Sequence, residues 1–191
     1  MEIIDTIKKD LKETLSERRY IHSIGVMEMC AKLAQIYGVD VQKAQIAGLL
    51  HDIAKEMPKE EMFKYVEENN IEITEIEKIS YQILHGKIGA DIAKKKYGLD
   101  DQIQNAIKYH TTTSPEMDTL AKIVYVSDKI EMNRKSEGYD LEYERELAQK
   151  DLDKTVLYII DASIKSLVEK GKLIEKEVDT RNYLILKSLK V

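Results

Sequence analysis

His22, His51, His85 and His110 are the only histidines of this 191-residue chain, and their neighbours suit them to metal chemistry. His51 is followed directly by Asp52 in the run Ala47-Gly48-Leu49-Leu50-His51-Asp52-Ile53-Ala54-Lys55. A second aspartate, Asp128, ends the apolar stretch Ile123-Val124-Tyr125-Val126-Ser127-Asp128. Imidazole and carboxylate are the ligands that iron, manganese, cobalt and zinc accept. His51 and Asp52 point about 100° apart if both lie on a helix, so they share an ion only where other helices close the shell. His22 from the preceding helix and Asp128 from a later one are the candidates. The set His22, His51, Asp52 and Asp128 leaves coordination positions open for water and substrate, the mark of a catalytic site.

The elements that must position these residues are helical. Ile3, Ile7, Leu11 and Leu15 recur every fourth residue, and Ile46, Leu49, Leu50 and Ile53 follow the same face. The pattern predicts helices at about 2–16, 19–37, 41–56, 59–68, 73–80, 84–97, 100–110, 115–132, 143–171 and 180–189. Tyr37-Gly38 and Tyr97-Gly98 read as C-terminal caps. Ser114-Pro115 reads as a helix start, with Ser114 the N-cap. Asn133 to Asp140 is a polar loop, and Tyr183-Leu184-Ile185-Leu186 is either helical or extended. No linker divides the chain, so one domain over residues 1–191 is expected.

A weak internal similarity relates two halves of the histidine set. His22 leads through Tyr37-Gly38-Val39-Asp40 to His51, as His85 leads through Tyr97-Gly98-Leu99-Asp100 to His110. A helical hairpin brings its outer ends together, so each unit can present two histidines to one place. Ala47 and Gly48, about one turn before His51, leave room for a neighbouring helix.

Composition narrows the function classes. Net charge of −5 argues against nucleic acid as a partner, which requires a basic face. The chain has 43% apolar and 34% charged residues, with no stretch approaching the roughly 20 apolar residues of a membrane span. The N-terminal residues lack signal-peptide order, and the single cysteine, Cys30, fits a reducing cytoplasm. A homodimer is compatible with these properties.

A lone histidine on a helix is more often hydrogen-bonded or at the surface than a ligand. Four of them with an adjacent aspartate and a distal one make a specific pattern. The chain resembles the HD-domain phosphohydrolases and, within them, is similar to the YqeK family. The similarity rests on Arg18-Arg19-Tyr20-Ile21-His22-Ser23, the His51-Asp52 run, Ile83-Leu84-His85-Gly86 and Ile107-Lys108-Tyr109-His110-Thr111-Thr112. It continues through Val126-Ser127-Asp128-Lys129-Ile130-Glu131 to Arg134, and ends on Thr180-Arg181-Asn182-Tyr183-Leu184.

The resemblance implies an all-α fold, one compact HD-domain bundle, a bound iron, and symmetrical hydrolysis of diadenosine tetraphosphate to two ADP. His22, His51, Asp52 and Asp128 match the metal ligands. His85, His110 and Arg134 match positions near the phosphates or a second metal. Asp52, His85 and His110 are thereby the catalytic candidates. Lys55, His85, His110 and Arg134 are the substrate-binding ones.

The chemistry calls for these residue types. Phosphoanhydrides resist attack because their negative oxygens repel a nucleophile, and a divalent metal neutralises those oxygens while lowering the pKa of bound water towards about 7. With two metals, Asp52 bridges and His85 and His110 complete the second site. With one, those histidines donate hydrogen bonds to phosphate. Lys55, four residues after His51 on the same face, contacts phosphate or supports Asp52 or Asp128. Arg134 reaches a phosphate bidentately or is a solvated arginine, and Arg18 and Arg19 are more simply surface residues. Alternatives on the same scaffold are a nucleotidase, an alarmone hydrolase, and a nucleotide-binding sensor that turns nothing over.

Overall fold

The computed structural model describes residues 2–135 and 140–189, so Ser136 to Tyr139 of the expected polar loop lie outside the described residues. Among the described residues every regular element is a helix. They are α1 (Glu2–Thr14), α2 (Glu17–Tyr37), α3 (Val41–Leu50), α4 (Lys59–Glu68), α5 (Glu75–Ile79) and α6 (His85–Tyr97). These are followed by α7 (Asp101–Tyr109), α8 (Thr119–Ile130), α9 (Leu141–Lys150), α10 (Leu152–Glu169) and α11 (Glu177–Ser188). One 3-10 turn, Tyr81–Leu84, leads into α6.

Two hairpins, α2–α3 and α6–α7, form the frame. Gly38 and Gly98 end α2 and α6 in the left-handed region at φ 67° and 64°, where a side chain would be strained. Asp40 and Asp100 then cap the next helices by accepting from the backbone N–H of Lys43 and Ile103. Within each hairpin a glycine lets the helices touch. A Cβ at Gly48 would lie 2.9 Å from Cys30 Sγ and 3.1 Å from Met27 Cα, and one at Gly86 would lie 2.8 Å from the Lys108 carbonyl.

Helix α8 runs through the middle of the main core, with Leu120, Ile123, Val124 and Val126 fully buried against α2, α3 and α7. This burial carries Asp128 inward on an otherwise apolar helix. A smaller cluster of Ala54, Met62, Val66, Leu84 and Ile88 packs α4 against α6. Helix α11 docks beside the loop after α7, where Thr113 Oγ1 donates to Thr180 Oγ1 at 2.9 Å.

Several boundaries differ from the periodicity. Helix α3 stops at Leu50, and residues 51–56 continue as tight turns, with Ile53 N–H on the Leu50 carbonyl and Lys55 N–H on that of Asp52. The segment expected as one helix over 143–171 is two, broken at Asp151, whose extended backbone frees its carboxylate to cap Lys154 N–H. Ser114 caps no helix; it closes a turn with Met117, and α8 starts at Thr119 under Asp118. Tyr183 to Leu186 is helical within α11. Among the described residues no helix is long and apolar enough to cross a membrane.

Candidate metal centre

The four histidines and two aspartates converge on one buried place. His22 comes from the second turn of α2, His51 and Asp52 from the end of α3, His85 from the start of α6, His110 from the end of α7, and Asp128 from the last turn of α8. Six residues from five segments thus meet where the two hairpins and α8 come together. Asp52 is only 2% exposed, and His51, His85 and His110 are buried with it.

Two groups share Asp52. In the first, His22 Nε2 lies 3.0 Å from Asp128 Oδ1 and 3.3 Å from His51 Nε2, while Asp52 Oδ2 lies 3.4 Å from His51 Nε2. In the second, Asp52 Oδ1 lies 3.2 Å from His85 Nε2 and 3.5 Å from His110 Nε2, and the two imidazole nitrogens are 2.9 Å apart. Potential ligand atoms of His22, His51 and Asp52 all fall within 4.8 Å of one another, as do those of Asp52, His85 and His110. His51 keeps helical backbone angles, and the donors of α2, α6, α7 and α8 close in around the adjacent pair.

Hydrogen bonds on the far side of the rings fix which nitrogen faces the centre. Nδ1 of His51 meets the Gly48 carbonyl at 2.7 Å, Nδ1 of His85 that of Gln82 at 2.5 Å, and Nδ1 of His110 that of Ile107 at 2.6 Å. A carbonyl oxygen only accepts, so each Nδ1 carries the proton and, in the neutral ring, each Nε2 presents a lone pair inward. The donor set therefore fits a divalent metal, with nitrogen and oxygen atoms of the types that transition metals take.

Charge states follow the same logic. Burial alone would raise the Asp52 carboxyl, yet His51, His110 and His85 around it hold it well below the usual carboxylate range. Asp128 is likewise buried and held low by Lys129, His22 and His51. Burial works against a charge on His51, but Asp52 and Asp128 overcome it and push the imidazole up to about 9. Burial wins at His110, which drops to about 4, and it also lowers His85.

Basic side chains ring the two aspartates. Lys55 Nζ lies 3.3 Å from His85 Nε2, beside the second group, and burial lowers its pKa against the opposing pull of Asp52 and Asp128. Arg134 places Nη2 on Asp128 Oδ1 and Nε on the Asp128 carbonyl, both at 2.8 Å. Arg18 is exposed, as the plainer reading of the sequence had it, whereas Arg19 Nη1 reaches Asp52 Oδ2 at 2.5 Å. Lys129 Nζ on Asp128 Oδ2 at 2.8 Å and Thr111 Oγ1, 3.0–3.1 Å from His110 and His85, were not singled out from the sequence. Arg19 sits one turn before His22, and Lys129 and Thr111 each follow a ligand candidate directly; those positions were the available signal.

The HD-domain family model matches residues 19–133, which include all six donors and end five residues past Asp128. A symmetrical bis(5'-nucleosyl)-tetraphosphatase of Bacillus subtilis is 36% identical over 85% of this chain and 86% of its own. One from Staphylococcus aureus is 35% identical over 94% of this chain and 93% of its own. A crystal structure from Clostridium acetobutylicum, described as an HD superfamily hydrolase involved in NAD metabolism, is 39% identical and superposes with a TM-score of 0.91 over 96% of this chain and 97% of that one. Likeness at this level runs from α1 to α11 and includes the helices that carry the donors. The chain belongs to the HD-domain family, in the YqeK-type group that includes these symmetrical tetraphosphatases.

Proposed function

We propose that this protein hydrolyses diadenosine tetraphosphate symmetrically to two ADP, using iron held by two donor groups that share Asp52. The observation that carries this reading is the Asp52 carboxylate itself. Its Oδ2 faces His22 and His51, and its Oδ1 faces His85 and His110. Relatives from Bacillus subtilis and Staphylococcus aureus that bear the name of this activity support the choice of substrate. Manganese, cobalt and zinc accept the same ligands and belong in the comparison with iron.

When bound, a pair of such ions neutralises phosphate oxygens and acidifies the water that attacks phosphorus. His85 and His110 serve as ligands in this account and not as donors to phosphate. Their Nδ1 protons are committed to carbonyls, and burial keeps His110 near 4 and His85 below its ordinary value, so neither Nε2 has a proton to give at neutral pH. His22 and Asp128 complete the first group, with His51 and Asp52.

Arg19, Lys55, Lys129 and Arg134 then supply positive charge around a centre whose chain carries −5 overall. Their present partners are Asp52, His85 and Asp128. Ions on those same groups leave the four cations free to meet phosphate oxygens, with Arg134 able to do so bidentately. Holding the tetraphosphate with its middle over the shared carboxylate presents an inner phosphorus to the water, and one register gives two ADP. The acidic chain favours a small nucleotide over nucleic acid as partner. One domain over residues 1–191 in the cytoplasm completes the reading.

The test is to strip the protein with chelator, restore it with iron, manganese, cobalt or zinc in turn, and assay a panel. Diadenosine tetraphosphate should show the highest kcat/KM, with iron the most effective ion. Preference for mononucleotides or for an alarmone would replace the substrate. Tight retention of nucleotide without turnover would make the protein a sensor.

A further inference from the structure

His22 is oriented unlike the other three imidazoles. Those each give Nδ1 to the carbonyl three residues earlier, a contact their own helix or turn provides. His22 Nδ1 instead faces Glu131 Oε1 at 3.2 Å, on a residue 109 positions away in the chain. Glu131 follows the end of α8, three residues after Asp128, and is 2% exposed. Its Oε2 accepts the Asn133 N–H at 2.6 Å, and its carbonyl accepts from Arg145 Nη2 at 2.8 Å, so backbone and carboxylate are both fixed.

The space for this carboxylate is made by Gly25, three residues after His22 on α2. A Cβ added at Gly25 would lie 2.4 Å from Glu131 Oε2 and 3.1 Å from its Cδ. Any side chain there would force Glu131 Oε2 to shift, and Asn133 Nδ2 at 3.1 Å limits where it can go. Helix α2 thus carries the imidazole and, one turn on, the gap that seats its partner.

We infer that Glu131 is a positioning residue for the ion held at His22, with Gly25 as its seat; this rests on the metal-site reading above. The carboxylate accepts a hydrogen bond from the His22 Nδ1–H and leaves Nε2 as the ligand atom on the side of Asp128 and His51. A full negative charge behind the ring also makes it a stronger ligand than a carbonyl does, and partners of this kind are commonly worth 10–100-fold in metal affinity. His85 and His110 have carbonyls only. Glu131 therefore governs one ion of the two.

The experiment titrates Co2+ into metal-free wild type, Glu131→Gln, Glu131→Ala and Gly25→Ala against a competing chelator, read by cobalt absorption. Glu131→Ala should weaken one ion by about 10–100-fold and leave the other within about twofold. Glu131→Gln keeps an oxygen for the Nδ1 proton without the charge, and should weaken the same ion by several-fold. Gly25→Ala, which alters no ligand, should do likewise and add nothing in combination with Glu131→Ala. A mere packing defect at Gly25 would add its loss in full. Thermal melts of the metal-free variants report folding separately, and the isosteric Glu131→Gln carries the test if an alanine variant fails to fold. Wild-type affinity in the glutamine and alanine variants would overturn the inference. Failure of wild type to take up Co2+ would instead remove the metal-site reading beneath it.

Discussion

Nε2 of His85 lies 2.9 Å from Nε2 of His110, and neither nitrogen has a proton to offer the other. Both rings spend their Nδ1 protons on carbonyls. The two nitrogens, with Asp52 Oδ1 3.2 Å from the nearer one, form a donor cluster suited to a divalent cation, which would take the place of the Lys55 ammonium beside His85. His110→Ala should therefore lower the metal-to-protein ratio by one ion and cut activity by at least about 100-fold. Elemental analysis alongside the rate checks both. An unchanged ratio with reduced activity would return His110 to a phosphate contact, and unchanged activity would remove both roles.

Losing the shared carboxylate should be worse. Asp52 faces both groups, so Asp52→Ala should empty the centre, while His51→Ala should strip the His22 group. Metal content after purification and dialysis is the measurement. Full occupancy in both variants would refute the assignment of these residues.

The ion must compete with a proton. In the ion-free protein His51 is raised to about 9 by Asp52 and Asp128 against the pull of burial, so below that pH it is mostly protonated. His110 is lowered to about 4 and has no proton to lose near neutrality. Binding to the His51 group thus displaces one proton, and apparent affinity should rise about tenfold per pH unit from about 7 to 9, then level off. Chelator competition at two pH values within that window checks the slope. A flat profile would contradict the placement of the imidazolium between the carboxylates.

Close contact between α2 and α3 makes a stability prediction. Gly48→Ala would put a Cβ 2.9 Å from Cys30 Sγ and 3.1 Å from the Met27 backbone, where little can give. Overpacking of this kind costs about 1–3 kcal/mol, which for a chain of this size lowers Tm by roughly 2–12 °C. Circular dichroism melts of the metal-free protein test it, since metal loading would mask the change.

Much of this arrangement is legible in the chain because it is built from local signals. Helical periodicity, Gly38 and Gly98 identify two hairpins, and the hairpins bring the four histidines together. Asp128 ends an apolar stretch because the helix that carries it is core on nearly every side. Errors arose where one residue type serves two local purposes. Ser114-Pro115 has the composition of a helix start but closes a turn, and Asp118 does the capping four residues on. Asp151 inside an amphipathic run looks like any surface aspartate, yet it ends one helix and starts another. The partners of Glu131 and Arg19 were out of reach for a different reason, although Arg19's place one turn before His22 was a signal. Their roles depend on contacts with His22 and Asp52 across 109 and 33 residues, which no local pattern encodes.

Product symmetry tests the central claim most directly. Metal-loaded protein is given diadenosine tetraphosphate, and the adenine nucleotides are separated and quantified as the substrate disappears. With the tetraphosphate centred over the carboxylate that Asp52 offers to both groups, each substrate should yield two ADP, with no AMP or ATP at any time. AMP and ATP in equal amounts would contradict that register, and no cleavage under conditions that load the centre would contradict the activity itself.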